Sequence, residues 1–161
     1  MADRQPTIAL ASSDQSIPAR LHEVKVELEV PFHDVDALKV VWHGHYYKYL
    51  EIARTELFRS RGIDGSDIIE LGMSLVVIES QCRYVSPLRY GDRVQVAAWF
   101  RDLTYRIMVD YEVINLTNNV RAARAHTSLV TTTLDGTMYR RTPEPLLARL
   151  APHLLDQEEK P

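Results

Sequence analysis

The 161-residue chain carries 19 Lys and Arg against 22 Asp and Glu, a formal net charge of −3, and is 45% hydrophobic and 25% charged. That length and composition favour one globular domain with a core of its own, and the acidic balance argues against non-specific nucleic-acid binding. No run approaches the ~20 apolar residues of a membrane span, the opening residues lack the apolar segment of a secretory signal, and the one cysteine, Cys82, leaves no internal disulfide or cysteine-held zinc, so a reducing, cytoplasmic setting is expected.

Residues 1–20 are mostly polar or small and show no period, so a flexible leader is expected there, then a domain over 21–152 and a polar tail over 153–161. Val24, Val26, Leu28 and Val30 alternate with Glu23, Lys25, Glu27 and Glu29, which predicts a strand over 22–31 with one face in the core and Pro31 as its stop. An irregular loop follows over 32–43. From about Gly44 the period changes. Tyr46, Leu50, Ala53 and Leu57 mark one helical face, and Tyr49, Ile52 and Phe58 widen it, so the helix should be wrapped on several sides. Gly62 is its expected stop, since glycine adopts the left-handed conformation that ends a helix. Gly65 to Gly72 reads as a loop with room for one helical turn.

The remainder reads as strands. Leu75–Tyr84 is the first of them, and Cys82 within it should be a buried, inert thiol. Ser86-Pro87-Leu88 and the turn at Tyr90-Gly91-Asp92 separate it from Val94–Phe100. Tyr105–Val113 follows, then a hairpin signal at Thr117-Asn118-Asn119, then Val120–Leu134. Thr142 as N-cap and Pro143 at the first helical position predict a short helix over Glu144–Leu150. The order is strand, long helix, then four strands in a meander. An antiparallel sheet curled around one central helix satisfies both periodicities, which is an α+β fold.

Asp34 and Asp36 lie between the first strand and the long helix. A carboxylate beside a positive helix end, with apolar walls, suits attack on a polarised carbonyl. The same acids also suit loop and capping chemistry. His43 and His45 together with the two acids suggest a metal, but residues two apart share no helical face, and no metal is expected.

Phe32, Asp34, Asp36, Val40-Val41, Trp42-His43, Tyr46 and Glu51-x-x-Arg54 together resemble the pattern of the hot-dog-fold acyl-CoA thioesterases. The likeness is to the 4-hydroxybenzoyl-CoA thioesterase branch and its bacterial short-chain acyl-CoA relatives linked to the Tol–Pal system. It is specific over residues 30–62 and continues more loosely to about residue 145. The resemblance implies a hot-dog fold and hydrolysis of the thioester of an acyl-CoA, or of an acyl-carrier protein, without a cofactor. It also implies active sites between the subunits of a homodimer or homotetramer. Asp36 falls on the family's catalytic acid, a general base or a nucleophile. His43 falls on the residue whose amide polarises the thioester carbonyl, and its side chain is a further candidate for substrate contact. Tyr46 is the candidate to line an acyl pocket. Arg101 matches one position of a relative's nucleotide-binding basic cluster, while Asp102 and Leu103 do not. Asp34 should brace the loop through hydrogen bonds, and Glu51 and Arg54, three apart, should pair or meet a second subunit. Two positions depart from the family: Lys39 stands where Gly is usual, and His45 where Asn is usual. A non-catalytic acyl-CoA binder and a hot-dog dehydratase are the alternatives, the latter a poor fit to the Asp36 motif.

Overall fold

The alternation of Val24, Val26 and Leu28 with Lys25, Glu27 and Glu29 produces β1 (Leu21–Glu29) in the computed structural model, which describes residues 20–155. The expected leader lies outside the described residues except for Arg20, as does the expected tail beyond residue 155. The tail's first residues do not stand apart from the domain. Pro152–Leu154 form a 3₁₀ turn, and Leu154 packs against the core.

The long helix, α1 (Tyr46–Ser60), follows a short 3₁₀ turn at His43–His45, so the chain coils from His43 but becomes α-helical two residues later than its period suggests. It ends in a complete Schellman motif. Ile63 N–H donates to the Phe58 carbonyl at 3.1 Å, Gly62 N–H to the Arg59 carbonyl at 2.9 Å, and Gly62 has φ +69°. Asp64 then caps α2 (Gly65–Glu70) with a reciprocal capping box to Asp67, which turns the expected loop into a helix.

β2 (Met73–Tyr84), β3 (Arg93–Asp102), β4 (Ile107–Asn115) and β5 (Val120–Thr133) complete one antiparallel five-stranded sheet in the order β1-β3-β4-β5-β2. This corrects the expected meander. Only β3, β4 and β5 run side by side in sequence, while β2 crosses to the far edge and pairs with β5. Alternation decides which face a residue presents, not which strand lies beside it. α1 packs on β1 and β3, so the chain leaving it re-enters the sheet at the other edge.

Tyr105 also falls outside its expected strand, because the Asp102 carboxylate accepts Thr104 N–H at 2.9 Å and folds a turn there. The last helix, α3 (Glu144–Leu150), begins as expected, but Pro143 rather than Thr142 precedes it. Thr142 is buried and donates its N–H to the Thr104 carbonyl.

α1 buries Tyr46, Tyr49, Leu50, Ala53, Leu57 and Phe58 against the inner face of the sheet. Ile52, expected in that face, is 49% exposed, so one side of the helix is left open. β2 contains a bulge between Val77 and Glu79, with Ile78 as the extra residue. A bulge shifts the alternation by one. Leu75 and Val77 face inward before it, and Cys82 and Tyr84 do so after it, while Gln81 and Arg83 turn to the outer face. Cys82 is part-buried rather than buried as expected, and burial pushes its thiol above its ordinary pKa.

Candidate active site

The segment between β1 and α1 folds as a tight hairpin. Lys39 N–H donates to the Asp36 carbonyl and Asp36 N–H to the Val40 carbonyl, each at 2.9 Å, and Val35 bridges Val41. This is a turn with a one-residue bulge whose last position is left-handed, and Lys39 occupies it with φ 62°. The family's preference for Gly at this place thus has a backbone reason, which Lys39 meets at some steric cost. The Asp36 carboxylate is half-buried. Its Oδ1 accepts Leu38 N–H at 2.8 Å, and its Oδ2 has no hydrogen bond among the described residues.

Asp34 is built differently. It is 2% exposed, with Oδ2 accepting the Tyr49 hydroxyl at 2.6 Å and Oδ1 accepting Lys48 Nζ. His33 and His45 place Nε2 at 3.7 and 3.9 Å from the same Oδ1. Burial alone would raise the pKa of this carboxyl, but the hydrogen bonds from Lys48 and Tyr49 outweigh it and hold the group below its ordinary value. The same burial and the same carboxylate push the Tyr49 hydroxyl upward. Asp34 therefore ties the hairpin to the first turns of α1, and its own carbonyl accepts Trp42 N–H at 3.0 Å.

Trp42 leads into the His43–His45 turn. A side chain at Gly44 would run into the Trp42 ring, so the ring lies over the turn only because position 44 is Gly. The Tyr84 hydroxyl donates to the His43 carbonyl at 2.7 Å and fixes the plane of that peptide. As the opening residues of the turn, His43 and Gly44 carry amides with no partner inside it. His43 and Tyr46 line a cleft of about 290 Å³ together with Val40, Val41, Tyr84 and Val85. Tyr46 and Tyr84 meet edge to face, ring centres 4.9 Å apart, and burial raises the pKa of both hydroxyls.

Of the four residues picked out for binding and catalysis, the fold thus brings His43 and Tyr46 to one cleft. Asp36 sits on the hairpin whose returning arm, Val40 and Val41, forms the cleft's wall. Arg101 is on the outer face of the sheet, 3.4 Å from Asp110. Glu51 and Arg54 do not pair. Arg54 instead lines a second pocket, of about 210 Å³, with Phe58, Ile63, Ile68, Leu75 and Val77. Sequence reasoning missed Tyr84 and Lys48, and took Trp42 only as part of the motif, with no role. Lys48 was not visible, because Asp34 lies 14 residues earlier and only the folded hairpin brings the two together. Nor was Tyr84, because its direction depends on the β2 bulge. Among the described residues no group of three or more His, Cys, Asp or Glu is placed to hold a metal ion, and no helix is long and apolar enough to cross a membrane.

Comparison with known proteins agrees with this architecture. The model of the thioesterase-like superfamily matches residues 30–154. A Bacillus subtilis protein, YneP, provisionally named an acyl-CoA thioesterase, is 28% identical over 109 residues, covering 66% of this chain and 79% of its own. The Staphylococcus aureus DHNA-CoA thioesterase superimposes with a TM-score of 0.70 at 23% identity, over 86% of this chain and 96% of its own. A 4-hydroxybenzoyl CoA thioesterase variant bound to 4-hydroxybenzoyl CoA superimposes with a TM-score of 0.71 at 16% identity, over 81% and 99% of the two chains. At these identities the two structural likenesses speak for the fold.

Proposed function

The chain belongs to the thioesterase-like superfamily, and from that membership we propose that it hydrolyses acyl-CoA thioesters in a site that a second copy of the chain completes. The observation that carries the reading is the direct covalent run from the Asp36 hairpin into the His43–His45 turn, whose first residue lines an apolar cleft. The thioester carbonyl lies in the cleft with its oxygen toward the amides of His43 and Gly44. Such donors stabilise the charge that grows on oxygen during attack. Tyr46 supports the acyl group. Asp36, through its free Oδ2, either takes a proton from water as that water adds to the carbonyl carbon or attacks the carbon itself to form an anhydride, which water then hydrolyses to the free acid and the Asp36 carboxylate. In either case the carbon–sulfur bond breaks, and the coenzyme leaves as thiolate and takes up a proton. Arg101, on the outer face, is assigned to the phosphate end of the coenzyme.

The second protomer enters because Asp36 does not line the cleft of one chain and because β2 ends the sheet with an unpaired apolar edge. Val76, Val77 and Ile78 are 44%, 45% and 46% exposed there. Such an edge is a template for another strand. Pairing β2 with its twofold copy would cover it and bring the copy to the mouth of the cleft, where Tyr84 and Val85 follow. A homodimer is thus the minimal unit, and pairs of dimers are compatible with it. We place the protein in the cytoplasm, where an unpaired thiol such as Cys82 stays reduced.

The test is thiol release from a panel of short, long and aromatic acyl-CoAs and acyl-carrier-protein thioesters. Release from at least one acyl-CoA is expected. Binding without release from any of them would make the protein an acyl-CoA binder. Sedimentation equilibrium should give a dimer or a multiple of it, and a monomer under assay conditions would remove the shared site.

A further inference from the structure

Arg54 is a half-buried cation, and among the described residues no carboxylate pairs with it. Glu51, the acid nearest along α1, is exposed. Asp64 lines the same pocket of about 210 Å³, but its two oxygens are taken by Arg59 Nε at 2.9 Å and the Gly65 N–H at 2.7 Å. The rest of the wall is mostly apolar, with Phe58 from the helix and Leu75, Val77 and Leu129 from the sheet. Beside Arg54 the Tyr111 hydroxyl is 1% exposed and makes no well-formed hydrogen bond. Burial raises the pKa of that hydroxyl and the Arg54 charge opposes the rise, so the two groups are close. A guanidinium against apolar walls is held there at a desolvation cost that a bound anion would offset.

The pocket stands at one end of a groove whose other end is the cleft. α1 packs on β1 and β3 rather than on β2, which leaves its flank toward β2 open. Tyr46 meets Tyr84 at the cleft, and Arg54 shares the pocket with Leu75 and Val77, so α1 and β2 flank the groove in opposite directions. Tyr46, Leu50 and Arg54 follow at four-residue steps and lie on one side of the helix. Arg54 is eight residues past Tyr46, or about 12 Å along the axis. Long helical side chains lean back toward the N-terminus, which shortens the gap to the cleft. The pocket is smaller than a site that encloses a whole small ligand. It suits the end of a ligand that enters from the cleft.

We propose that this pocket receives the far end of the acyl group and that Arg54 selects acyl chains ending in a carboxylate, those of the acyl-CoAs of dicarboxylic acids. The assignment of substrate class rests on the hydrolysis proposed above. The guanidinium fork matches both oxygens of a carboxylate, and the apolar walls take the methylene chain that leads to it. A chain ending in a methyl group would fill the same space but leave the guanidinium desolvated and unpaired. Sites that hold a polar group for the substrate reject the analogue that lacks its partner more sharply than apolar pockets reject a change of size. Arg54 thus sets specificity and takes no part in the attack on the thioester.

The experiment has two arms, both on the full-length protein. The first compares kcat/KM for suberoyl-CoA with that for octanoyl-CoA, which differ only in the terminal group. The wild type should favour suberoyl-CoA by about tenfold or more, and Arg54→Gln should lose that preference, with Arg54→Lys restoring part of it. The wild-type ratio needs no variant, so it decides even if the substitutions disturb folding. The second arm needs no turnover. Calorimetry should show free suberate binding to the wild type and about tenfold more weakly to Arg54→Gln. Where neither thioester is cleaved, suberate binding that depends on Arg54 supports the carboxylate site while the proposed hydrolysis fails. Octanoyl-CoA hydrolysed as well as suberoyl-CoA by the wild type overturns the proposal, as does a preference that survives intact in Arg54→Gln. With neither thioester cleaved, suberate binding that is absent or equal in the two proteins overturns it as well. So does a lower oligomer mass in both Arg54→Gln and Glu51→Gln with no suberate bound by the wild type, because Arg54 would then pair with Glu51 of another copy.

Discussion

The two ends of α1 are built in opposite ways. At the C-terminal end the chain satisfies itself: Gly62 and Ile63 return their N–H groups to the last turn, and Ile63 and Phe58 are both buried. At the N-terminal end no side chain caps the helix or the turn before it, and the first turn carries no acid. There the structure spends its interactions on position. Tyr84 holds the His43 carbonyl, Asp34 accepts from Tyr49 and Lys48, and the Trp42 ring lies over Gly44. One end closes a fold, and the other fixes the peptides of the turn while leaving its first amides without a partner inside it.

The contrast can be broken at four points. Asp36→Asn keeps an oxygen for Leu38 N–H while removing the charge, so it should fold and bind substrate yet lose more turnover than the ~10²–10³ that one oxyanion donor provides. Near-normal thiol release by that variant would leave the site without its acid. His43→Pro deletes the amide proposed to hold the oxyanion. Proline is tolerated at a helix start, and Trp42, with ψ 132°, already has the backbone that precedes one. Turnover should fall by about 10²–10³ with stability nearly kept, and His43→Ala, which keeps the amide, should lose far less. Equal losses in the two would assign the role to the imidazole.

Asp34→Asn leaves Tyr49 and Lys48 with a weaker partner and should cost about 1–3 kcal/mol of stability by urea denaturation at neutral pH. The sign with pH follows from the carboxyl being held below its ordinary value. The stabilisation is present above the unfolded-state pKa of about 3.9 and is lost as pH falls through the lower folded-state value. Wild type and Asp34→Asn should therefore converge on acidification, and a constant gap would contradict the assignment. Gly62→Ala, at the closed end, strains a left-handed position and should cost about 1–2 kcal/mol by thermal unfolding. Its kcat should stay at the wild-type level, since none of the residues assigned to the proposed catalytic site lies at that end of α1.

Much of this was legible beforehand where a residue's neighbours along the chain decide its state. The alternation of β1, the helical face from Tyr46 to Leu57 and the stop at Gly62 depend on local periodicity and local backbone freedom. The same is true of the family motif over residues 30–62. Lys39 shows the limit of that legibility. The departure from Gly is plain in the sequence, but only the hairpin's hydrogen bonds reveal that the position is left-handed. Asp34 and Asp36 are the same residue type two positions apart. The tertiary structure separates them, burying one against Tyr49 and leaving the other a free oxygen.

The sequence by itself determined the elements, the α+β class and the short stretch in which chemistry is expected, because these follow from side-chain period and from residues adjacent in the chain. The tertiary structure alone decided that β2 lies at the far edge beside β5, that its bulge sends Tyr84 to the cleft and Arg83 to the opposite face, and that Arg124 meets Arg83 there. Those outcomes depend on which strands pair and in what register. Hydrogen bonds between residues dozens of positions apart set that register, and no local pattern encodes it.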